Sequence, residues 1–143
     1  MSASTLRIYL ALFLIAHGLM HYSLTTVPLP KPGELRTPFW PAWWRSAVDP
    51  LWPASRLGLP ETFVRLLGCA LWLAATAGFA LAGLGLLGVP GLNSIWGGAV
   101  VFSSAASLLL LGLYWHPWLV MGVVISLGLL VALWQHFPTW LYA

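Results

Sequence analysis

Apolar residues fall along this chain in four long runs, and the segments between them collect the prolines, many of the tryptophans and most of the few charges. At about 1.5 Å of rise per residue, about 20 apolar residues cross the hydrocarbon core of a bilayer. The stretches at about 6–27, 62–87, 93–115 and 117–137 meet that length. Only the second holds a charge away from its end, and that residue, Arg65, is close enough to the boundary to snorkel. The pattern predicts an all-α fold, an integral-membrane four-helix bundle forming a single transmembrane domain over 1–143.

The connections set the order of the helices. Gly88-Val89-Pro90-Gly91 offers the positive-φ and fixed-φ residues of a tight turn, and His116-Pro117 puts a proline where a new helix begins without losing a hydrogen bond. Helices 2, 3 and 4 are therefore expected to be antiparallel neighbours. The first run reads as a permanent helix and not as a secretory signal, because it is longer than a signal core and no A-x-A site follows it. Four spans place the N-terminus, the 88–91 turn and the C-terminus on one membrane face. The 28–61 loop and the His116 turn share the other.

Within that loop, Trp40, Trp43, Trp44, Ala47 and Val48 recur at helical spacing, with Pro41 at a first-turn position and Pro50 ending the run. A short interfacial helix over about 41–48 is expected, with its indoles at headgroup depth. Trp96, Trp115, Trp118, Trp134 and Trp140 fall near span ends, whereas Trp72 lies inside a span and is expected to face a neighbour or lipid. Lys31, Arg36, Arg45, Arg56 and Arg65 lie in or beside the loop, so the positive-inside rule favours a cytoplasmic loop with both termini outside.

Composition narrows the function. Charged residues make up 6% of the chain, against roughly 25% in soluble domains. Such a chain cannot solvate a water-facing surface, and it is too hydrophobic for disorder. Six scattered bases form no patch for phosphates, which excludes nucleic acid as a partner. One cysteine, Cys69, excludes a disulfide framework. The expected setting is a bacterial cytoplasmic membrane, with the lipid bilayer as the first partner.

Helices in lipid associate through small residues that let backbones approach. Ala70, Ala74, Gly78 and Ala82 on the second run and Ala99, Ser103 and Ser107 on the third recur every four residues, predicting a close helix 2–helix 3 contact. The serines either line a polar cavity or bond their own i−4 carbonyls.

His17 and His21 are the sharpest chemical feature. Their i, i+4 spacing puts both imidazoles on one helix face, and ionisable residues inside a span are costly enough to suggest a role. Counting residues from the long-loop face places His21, Cys69, Ser107 and Ser126 in one layer, with His116 at the boundary and His136 near the other face. A metal would need Cys69 or His116 as a third ligand and finds no carboxylate in the layer, so no metal site is expected. Two ligands on one helix cannot occupy opposite axial positions of a haem, which leaves a single-histidine ligand to a haem or chlorin shared with a neighbour. A quinone or lipid-headgroup pocket is a further reading, with His17, His21, Tyr22, Arg65 and Trp72 as candidate cofactor-binding residues. The plainest alternative is that both histidines hydrogen-bond across helices to serines or carbonyls. No Ser/His/Asp set, G-x-S-x-G, phosphate loop or carboxylate pair is found, so no catalytic residue is assigned.

The Leu-Phe-Leu-Ile-Ala-His17-Gly18 segment, followed by a decorated loop and three closely spaced helices, resembles the DoxX-like family of small four-helix bacterial membrane proteins. That resemblance implies a four-helix membrane fold and, through some members, a link to quinone-coupled sulfur oxidation, with His17 as the residue carried over. The Trp-rich loop and the missing cysteine pair depart from it. Two functions are expected from these readings. One is an accessory or scaffold subunit packing against other membrane-protein subunits, in an electron-transfer or photosynthetic complex. The other is a quinone-linked redox protein or cofactor binder using His17 and His21.

Overall fold

The computed structural model describes residues 2–25, 56–115 and 119–136, with the side chains of all of these except 23–25, 61 and 65. Among them the chain is all-helical: α1 Ala3–Thr25, α2 Glu61–Leu86, α3 Trp96–Leu113 and α4 Val120–Trp134. The interfacial helix expected over 41–48 and the His116-Pro117 turn lie outside the described residues. α1, α2 and α3 are long and apolar enough to cross a membrane.

Several of the described ends have a local cause. Ser2 Oγ accepts the Thr5 N–H at 3.2 Å, capping one of the free donors that open α1. At the end of α2, Gly88 adopts φ 85°, the Val89 N–H reaches the Leu84 carbonyl at 3.2 Å and the Gly88 N–H reaches Gly85 at 3.0 Å. This is a Schellman cap, which needs a residue of positive φ just past the helix and so uses the glycine. Gly91, at φ 81°, completes the tight turn expected at 88–91. Two further turn bonds, Leu92 N–H to Val89 and Ile95 N–H to Leu92, delay the third helix to Trp96, three residues beyond the hydropathy boundary.

α4 is shorter than the run expected over about 117–137, of which residues 117, 118 and 137 lie outside the described residues. Its 15 residues rise about 22 Å, against about 30 Å for a hydrocarbon core. Hydropathy carried the run through Gln135 and His136, but His136 has φ 51°, which no α-helix continues through. Its N–H bonds the Leu133 carbonyl and closes the helix there.

Consecutive helices are neighbours, with α2 between α1 and α3, and α4 packed on α3. The small-residue contact expected between α2 and α3 forms at Gly78, where a Cβ would come within 2.6 Å of the Ser103 Cβ and 3.3 Å of the Ala99 carbonyl. The α1–α2 contact uses the same device. A Cβ at Gly83 would meet Ile15 Cγ1 at 2.5 Å and the Ala11 carbonyl at 2.7 Å, and one at Gly18 would meet the Thr76 carbonyl at 3.0 Å. Ala11, Leu14, Gly18 and His21 form the buried stripe of α1, at i, i+3, i+7 and i+10.

Two apolar clusters fill the interior. One gathers Ala11, Leu14, Ala75, Phe79, Ala82, Leu86, Val100 and Ala106. The other gathers Val64, Trp72, Leu110, Leu111, Tyr114 and Leu119, with Cys69 packed against it. The Tyr114 hydroxyl donates to the Val64 carbonyl and so ties the end of α3 to the start of α2.

Candidate functional site

The polar centre of the molecule starts from the buried stripe of α1. His21 occupies its last position and is 4% exposed. Its Nδ1 lies 3.0 Å from the His17 carbonyl, one turn back. Its Nε2 lies 3.0 Å from Ser107 Oγ on α3. Ser107 in turn accepts the Ser126 hydroxyl of α4 at 3.2 Å. Ser107 and Ser126 are both fully buried.

The chemistry of the partners orients this chain of bonds. A carbonyl only accepts, so Nδ1 carries the proton, and the Nε2 of a neutral ring is then an acceptor. The Ser107 hydroxyl donates to it, leaving the Ser107 oxygen to receive the Ser126 hydroxyl. Every donor points one way, from α4 through α3 to α1. In a low-dielectric interior such a closed set of bonds ties the three helices together and leaves neither nitrogen of His21 available as a lone pair.

Aromatic rings surround the pair. The His17 and His21 rings meet edge-on with centroids 4.8 Å apart, Phe79 approaches His17 edge-on at 4.8 Å, and Trp72 approaches His21 at 5.1 Å. His17 also stacks on Phe13, at 6.0 Å and 7°. His17 Nε2 is buried and has no hydrogen-bond partner among the described residues, as is the hydroxyl of Ser104.

Of the five candidate binding residues, the structure brings His17, His21 and Trp72 together. Trp72, expected to face a neighbour or lipid, faces a neighbouring helix, at 1% exposure. Tyr22 follows His21 directly, but its position on α1 points outward and its side chain is half exposed. Arg65 stands on α2 seven residues, about two turns, before Trp72, and its side chain lies outside the described residues. The layer counted from the sequence holds for His21, Ser107 and Ser126, which bond to one another. Cys69, from the same layer, packs instead into the cluster around Trp72 and Tyr114. Ser103 takes the other course open to a serine in an apolar helix, donating to its own i−4 carbonyl at Ala99 at 2.7 Å.

Sequence reasoning did not single out Phe79 or Phe13. Phe79 has a usable signal: it follows Trp72 by seven residues on α2 and thus lies on the same face. Phe13 precedes His17 by four, the spacing of a stacked pair. Among the described residues no group of three or more His, Cys, Asp or Glu side chains is placed to hold a metal ion.

No protein-family model, curated protein or solved structure matches this chain.

Proposed function

We propose that the protein is an integral-membrane accessory or scaffold subunit, whose helices cross a bilayer and whose outer faces meet lipid and other membrane-protein subunits. The observation that carries this reading is the hydrogen-bonded chain from Ser126 through Ser107 to His21, which links three helices and uses both nitrogens of His21, Nε2 across to α3 and Nδ1 on the His17 carbonyl within α1. An imidazole used in this way is a structural joint inside a span, where an unsatisfied polar group costs several kcal/mol. The exterior supports the membrane placement. Large apolar side chains are exposed on all four helices, among them Leu12, Leu66, Phe102 and Met121, while the charged side chains described, Arg7 and Arg56, lie near segment ends. α3, with its 18 residues, rises about 27 Å, near the thickness of a hydrocarbon core. Trp115, just past its end, and Trp134, at the end of α4, are both exposed, as expected of interfacial indoles.

One observation favours a second reading. His17 Nε2 is buried beside Phe79 and His21 with its hydrogen-bonding capacity unspent among the described residues. A ligand carbonyl of the quinone type, or a pigment held with a neighbouring subunit, would use that nitrogen. Extraction in mild detergent from the native membrane separates the two. A scaffold subunit runs with large partners in fixed stoichiometry and carries no chromophore or quinone of its own, whereas a binder carries its ligand and loses it on His17→Ala.

A further inference from the structure

We draw no further inference here: the strongest candidate, the open groove of about 530 Å³ between α2 and α3 lined by Ala74, Gly78, Leu81, Gly98, Ala99 and Phe102, is a face of small and apolar side chains, and nothing in the structure shows what covers it.

Discussion

His21 on α1 and Ser107 on α3 are 86 positions apart in the chain and meet at 3.0 Å in its interior. Because the other ring nitrogen faces a carbonyl, the bond has a direction: Ser107 donates and His21 accepts. The ring is thereby fixed as the Nδ1–H tautomer. Nitrogen NMR of ring-labelled protein in detergent should show His21 Nδ1 as protonated and Nε2 as bare. A protonated Nε2 with a bare Nδ1 would reverse the chain and remove the argument for it.

The same direction ranks two serine substitutions. Ser107→Ala strands a buried acceptor on His21, a loss of about 1–3 kcal/mol, whereas Ser126→Ala removes only the outermost donor and costs about 0.5–1.5 kcal/mol. Unfolding of the two variants in a mixed-detergent titration should therefore place Ser107→Ala clearly below Ser126→Ala. Equal losses, or the opposite order, would mean that the bonds do not run from α4 to α1.

Gly83 and Gly98 should respond oppositely to a methyl group. A Cβ at Gly83 runs into the Ala11 carbonyl and Ile15, so α1 must shift, whereas nothing lies within 4 Å of one at Gly98. Gly83→Ala is expected to cost about 1–3 kcal/mol by overpacking. Gly98→Ala is expected to gain up to about 1 kcal/mol from helix propensity. Thermal melts of the purified protein check both signs, and a neutral Gly83→Ala would contradict the close α1–α2 approach.

Cys69 is the chain's one thiol, half-buried against the cluster that contains Tyr114, which makes it a reporter for that end of the bundle. Tyr114→Phe deletes the hydroxyl that ties α3 to the Val64 carbonyl. Loss of one such bond, about 0.5–1.5 kcal/mol, should speed maleimide labelling of Cys69 roughly two- to ten-fold if labelling follows local opening. An unchanged rate would show that the tyrosine ring alone, through packing, holds the two helices.

Much of this architecture is legible in the sequence because long apolar runs favour helices, which satisfy their backbone groups within the segment, and short turns force neighbours. The 88–91 turn is readable for the same reason, since Gly88 and Gly91 sit where positive φ is required. Counting depth also places His21, Ser107 and Ser126 together. What hydropathy does not register is where helices begin and end, since it reads neither the turn bonds before Trp96 nor the left-handed residue at His136. It also misses the α1–α2 approach, because Gly18 looks like an isolated glycine and Gly83 lies beside the small-residue stripe assigned to the α2–α3 contact. The division of labour between the histidines is invisible as well. At i, i+4 they look equivalent, yet only His21 lies on the buried stripe with Ala11, Leu14 and Gly18, and only it reaches α3.

His21, bonded to Ser107 and to the His17 carbonyl, joins helices in what we propose is a subunit that works by packing. Absorption and native mass spectra of the protein extracted from its host cells in mild detergent, together with the His17→Ala and His21→Ala variants, test this role. A packing subunit should be colourless and quinone-free, in stoichiometric complex with larger membrane partners. His21→Ala should loosen the subunit, and His17→Ala should leave the mass of the complex unchanged. A bound pigment or quinone that disappears in His17→Ala would contradict it and make the pair a ligand site.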